Sequence, residues 1–151
     1  MENFMFAISC GSDIVLQETS KEIFSTFFVA SNGKFFPEKN WTDFSVTVIG
    51  WWVNTVVEAL SKGQTHFTLL FEDGSWRLDV EVQNDVFILR GFDDYIDGCC
   101  VCGFSTSRQE FITALKNAIS HMRECVLRVK GDVFDAITRL DKYQMTLQNI
   151  L

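Results

Sequence analysis

The chain has 151 residues, 47% of them hydrophobic and 22% charged, with a formal net charge of −7 at pH 7. That length matches one domain with enough apolar material for its own core, which excludes a disordered or staple-dependent chain. The negative balance disfavours nucleic acid, whose phosphates need Lys and Arg.

The first stretch, "MENFMFAISCGS", carries Glu2 and no Lys or Arg before Cys10, and its apolar run is too short for an export signal. No run approaches the roughly eighteen apolar residues of a membrane span. The expectation is a cytoplasmic protein with no membrane partner. "NFMFAIS" reads as a strand, "CGSD" as a turn and "IVLQE" as a second strand. The β-branched and aromatic content of "KEIFSTFFVA" favours extended structure, and "SNGK" then turns the chain.

A central helix follows. Thr42 or Asp43 is placed to cap it, Ile49, Trp52, Val53, Val56 and Leu60 form its apolar stripe, and Gly63 ends it. Successive residues on a helix point about 100° apart. The adjacent pair Trp51 and Trp52 therefore divides: Trp52 faces the core, while Trp51 falls beside Thr47, Asn54 and Glu58 on the polar side. There Trp51 is either a binding anchor or core for a neighbouring element.

"HFTLLFEDGSWRLDVEV" predicts a hairpin turning tightly at Asp73-Gly74. In its second strand Trp76, Leu78, Val80 and Val82 alternate with Arg77, Asp79 and Glu81, giving one buried and one wet face. Asn84-Asp85 turns into a third strand, "VFILRGF", and "CCVCGF" adds a fourth after the acidic loop "DDYIDG". Ser107 and Glu110 have capping-box spacing ahead of a helix buried along Ile112, Leu115, Ile119, Met122 and Val126. After Gly131-Asp132 a last helix carries Val133, Ile137, Leu140, Leu147 and Leu151 along a seam, where a second copy of the chain could pair. The expected fold is α+β, one domain over residues 1–151: an antiparallel β-meander sheet with one central helix and two C-terminal helices packed on one face.

Charge is concentrated in the meander. Between Glu72 and Gly98 eight carboxylates (Glu72, Asp73, Asp79, Glu81, Asp85, Asp93, Asp94 and Asp97) face only Arg77 and Arg90. Such a surface steers a basic partner toward the sheet.

Catalytic and metal motifs are sparse. The five cysteines, an odd number, read as reduced thiols. Cys99 and Cys102 have C-x-x-C spacing, but only the scattered Cys10, Cys125, His66 and His121 could complete a zinc site, so they read as thiols buried in a strand. "DDYIDG" fails as an EF-hand, since Tyr95 and Phe104 stand where ligands are required. A looser cation site among Asp93, Asp94 and Asp97 stays open. His121 and Cys125 are spaced to touch on one helix, without a third group to orient them. No catalytic residue, cofactor or metal ligand is assigned.

The segments "FFPEKNWTDFSVTVIGWW", "LLFEDGSWRLDVEV" and "EFITALKNAISHM" together resemble small uncharacterised bacterial α+β proteins of the toxin-immunity type, over roughly residues 35–125. The resemblance implies a non-enzymatic protein that binds and blocks a toxin through an acidic or aromatic surface. With the charge layout it makes Trp51, Asp79, Glu81, Asp93, Asp94 and Asp97 the candidate partner-binding residues, and a basic protein the partner. Two alternatives stay open: a small-ligand-binding domain with an aromatic-lined pocket, and a metal-dependent enzyme using the Asp93, Asp94 and Asp97 loop.

Overall fold

The computed structural model describes residues 5–95 and 100–150; Asp97, Cys99 and Leu151 lie outside the described residues. Strands β1 (Ala7–Cys10) and β2 (Val15–Leu16) run antiparallel to β3 (Ile23–Ser31), which also pairs with β4 (Lys34–Phe36) and β5 (Thr42–Asp43). Seven of the nine β3 residues are buried, so this strand is covered on both faces and reads as a near-continuous apolar run. Asn32 and Gly33, both at positive φ, make the two-residue turn into β4.

Helix α1 (Ser45–Ser61) buries Ile49, Trp52, Val53 and Val56 as its periodicity predicts. Its cap differs from the expectation. Thr42 and Asp43 pair with β3, which holds them extended, and the N-cap is Phe44 with no side-chain cap bond. The buried Asp43 carboxylate instead accepts from the Phe44 N–H at 2.7 Å, the Asp73 N–H at 3.0 Å and the Trp41 indole N–H at 3.2 Å. Burial pushes its carboxyl above the ordinary value, against the pull of those three hydrogen bonds.

The meander forms a second sheet, antiparallel in the order β6 (His66–Leu70), β7 (Trp76–Gln83), β8 (Val86–Asp93), β9 (Cys100–Ser107). The N-terminal strands therefore build a sheet of their own around β3 instead of extending this one. The β6–β7 connection is also longer than a tight turn. The Phe71 N–H still donates to the Trp76 carbonyl, which leaves Glu72–Ser75 as a four-residue loop with Gly74 at φ +77°. Asn84-Asp85 is the two-residue turn expected.

Helix α2 (Arg108–Leu127) starts at Ser107, whose hydroxyl accepts from the Glu110 N–H at 3.0 Å, and Ile112, Leu115, Ile119, Met122 and Val126 are all buried. Helix α3 (Phe134–Gln148) buries Leu140 and Leu147, with Val133 and Ile137 partly covered. α1 packs on β3 and β6, α2 on β1, β8 and β9, and α3 on the other two helices. The covered face of the meander thus holds Leu78, Val80, Phe87 and Leu89, while Asp79, Glu81 and Arg90 project from the other.

The two sheets meet where β4 lies against β9 and its Phe36 side chain reaches the backbone of β8. A side-chain carbon at Gly91 would lie 2.4 Å from the fully buried Phe36 ring, so only glycine lets the ring rest on the β8 backbone. Gly91→Ala should destabilise the protein by about 1–3 kcal/mol through overpacking, read as a lower urea midpoint at unchanged slope.

Candidate functional site

Trp51 is placed by α1 on the flank facing away from the core and is 40% exposed. Phe44 and Thr47 precede it by seven and four residues, so they share that flank. Beside it, β6 turns Leu70 outward, 50% exposed, because His66, Thr68 and Leu70 alternate with the buried Phe67 and Leu69. Two hollows adjoin Trp51. One, of about 360 Å³, is lined by Trp51, Asn54, Thr55, Thr68 and Leu70. The other, of about 220 Å³, is lined by Glu22, Phe44, Thr47, Trp51 and Glu72.

The wall of the second hollow is fixed by a polar network. The Thr47 hydroxyl donates to a Glu22 carboxylate oxygen at 2.9 Å, and the Arg139 guanidinium donates to Glu22 at 3.2 Å and to Thr47 at 2.9 Å. Arg139 also lies against the Tyr143 hydroxyl at 3.3 Å. Glu72 is exposed and makes no ion pair among the described residues.

The acidic sheet face is more neutralised than its sequence suggests. Arg77 lies between Asp79 and Asp94, bonded to both, with its guanidinium 4.3 Å from the Phe92 ring centre. These carboxylates, Asp79 first, raise the Arg77 pKa further. Glu81 accepts from Gln83 at 2.6 Å and from Arg90 at 3.2 Å, and the two bonds hold its carboxyl below the ordinary range. Asp79 also accepts from the Thr68 hydroxyl at 3.1 Å, which links the sheet face to the groove beside Trp51. Asp93 does not belong to this face. It is 9% exposed and accepts from the Ser75 hydroxyl and the Tyr95 N–H, tying the β6–β7 loop to the end of β8.

Of the six candidates read from sequence, Trp51 alone lines the groove, Asp79 is joined to it through Thr68, and Glu81 and Asp94 stand further along the exposed face. Asp93 turns inward, and Asp97 is outside the described residues. The sequence reading missed Glu22, Phe44, Leu70 and Glu72. Phe44 had a signal in its helical spacing from Trp51, whereas Glu22 and Glu72 arrive only through tertiary packing.

No family model, curated protein or solved structure matches this chain.

The remaining chemistry is separate from this groove. Cys100 is exposed and Cys102 half-buried on β9, so that stretch is not the buried thiol strand expected; it is the last strand of its sheet, covered less than the central ones. Cys125 Sγ lies 3.5 Å from His121 Nε2 on the outside of α2. The neighbouring Cys10 thiol is buried, donates to the Ala118 carbonyl, and is pushed up to about 12 by burial first and Cys125 second. Such a thiol is inert at neutral pH. Among the described residues no three of His, Cys, Asp and Glu gather to hold a metal, and no helix is long and apolar enough to cross a membrane.

A further hollow, of about 400 Å³, lies between Asp85 and the first turns of α2 and is lined by Ser107, Arg108, Gln109, Ile112 and Thr113. Its serine is already engaged in capping α2.

Proposed function

We propose that the chain is a non-enzymatic protein-interaction module that binds a basic partner, in the manner of the immunity proteins its sequence resembles. The observation that carries this reading is Trp51, a large aromatic left 40% exposed between two hollows and beside the carboxylates of Glu22 and Glu72. Tryptophan is a favoured hot-spot anchor, since a rigid ring brings much contact area at little entropic cost. The neighbouring Leu70 enlarges the apolar patch, and the surrounding negative charge supplies steering and partner choice. The sheet-face carboxylates Asp79, Glu81 and Asp94 already have arginine partners, so their contribution is to the field around the site rather than to unpaired contacts.

Affinity capture from source-cell lysate at low and high salt tests the reading. A near-stoichiometric basic protein retained at low salt and released at high salt is the expected result. A partner that is acidic, or one indifferent to salt, would sink the electrostatic part of the proposal.

A second reading has one observation in its favour. The hollow of about 360 Å³ beside Trp51 falls in the range of small-molecule sites. The aromatic pocket expected between sheet and helices is a different matter, because there Phe27, Trp52 and Phe71 close edge-on upon one another. A metabolite screen by thermal shift separates the readings, since a ligand raises apparent stability by mass action.

A further inference from the structure

The smaller hollow beside Trp51 has a composition that selects its occupant. Two aromatic side chains, Phe44 and Trp51, and two carboxylates, Glu22 and Glu72, line it together with Thr47. An aromatic face attracts a cation through its quadrupole, and a nearby carboxylate adds direct Coulomb attraction. An anion would meet like charge there. A neutral apolar group would strip water from the carboxylates without replacing it.

The wall is also held in position before anything binds. Phe44 packs edge-on against Phe24 with ring centres 5.2 Å apart, and Glu22 is anchored by Thr47 and Arg139. Arg139 neutralises Glu22, so the uncompensated charge facing the hollow is that of Glu72. At about 220 Å³ the space is smaller than ordinary small-molecule sites, yet it admits one ammonium or guanidinium head.

We propose that this hollow receives the cationic head of a single Lys or Arg side chain presented by the basic partner, against Trp51 and Phe44 and facing Glu72. The assignment rests on the interaction reading above and specifies its central contact. It makes Glu72, Phe44 and Thr47 specificity residues alongside Trp51.

Three seven-residue Gly/Ser peptides with a central lysine, arginine or acetyl-lysine, together with choline as a free cation, provide the test. The readout is the Trp51 indole N–H resonance, identified by its absence in W51F. The lysine and arginine peptides should shift that resonance, while the acetyl-lysine peptide should need at least about ten-fold more to do so, and E72Q should weaken the lysine peptide about three- to ten-fold. Equal shifts by the acetylated peptide, a response to choline alone, or an unchanged E72Q would overturn the assignment. A decalysine peptide keeps the two proposals apart. If it binds at low salt with the Trp51 resonance unmoved, the hollow loses its role and the interaction reading stands; if neither it nor the short peptides bind, both fall.

Discussion

Trp52→Ala is expected to lower the unfolding free energy by roughly 3–5 kcal/mol, and Trp51→Ala by about 1 kcal/mol or less. The two residues are adjacent in sequence but sit in different surroundings. Trp52 is fully buried, donates its indole N–H to the Leu70 carbonyl at 2.8 Å, and meets the Phe27 and Phe71 rings edge-on at 5.0 and 5.4 Å. Its removal opens a cavity among rigid rings and leaves the Leu70 carbonyl without that donor. For a chain of this size the melting temperature should fall by on the order of 6–20 °C. Trp51 shares its neighbours with solvent, so its truncation exposes little that was dry. Urea denaturation of the two variants side by side measures the contrast, and equal losses would show that the wet flank of α1 is part of the core.

Asp43→Ala should cost about 2–4 kcal/mol, because it strands the Phe44 and Asp73 N–H groups and the Trp41 indole donor at once. Asp43→Asn keeps an acceptor oxygen and should cost roughly half as much. The pH dependence has a definite sign. Burial raises the folded-state pKa of Asp43, so its protonated form favours the fold. That stabilisation is complete below the unfolded value and is lost as pH rises through the folded one. Wild-type protein should therefore lose more stability than Asp43→Asn as pH climbs upward from the ordinary carboxylate value. Urea midpoints taken across that interval would reveal a matching slope in both proteins if Asp43 did not titrate there. The effect bears on the candidate site, since Asp43 holds Asp73 in the same short loop as Glu72.

The parts of the fold legible in the sequence were those set by local periodicity. The α2 stripe from Ile112 to Val126, its Ser107 cap, and the alternation of Leu78 and Val80 with Asp79 and Glu81 depend on spacing of 3.6 or 2 and on little else. The division of Trp51 from Trp52 followed from the same geometry. Features that depend on distant partners were not legible. Nothing local marks Thr42 and Asp43 as a strand; their pairing with Ser25 and Thr26 draws Asp43 away from capping α1. The separation into two sheets follows from β3 gathering four short strands around itself, and short strands carry weak patterns.

The candidate site shows the same limit. A count of the carboxylates along residues 72–98 does not show which of them are already paired. Arg77 and Arg90 are only two residues, but between them they engage Asp79, Asp94 and Glu81. The carboxylates beside Trp51 are instead Glu22, ahead of β3, and Glu72, in the β6–β7 loop, and only the folded chain brings them together.

The central claim is that Trp51 anchors a basic partner without supporting the fold. The most direct measurement is capture from one lysate on immobilised wild-type, Trp51→Ala and Trp51→Phe proteins, with the melting temperature of each recorded beforehand. The account predicts a basic protein held by wild type, reduced on Trp51→Phe and absent from Trp51→Ala, with the three melting temperatures within about 4 °C of one another. The same partner retained equally by all three, or lost only because Trp51→Ala has unfolded, would contradict it.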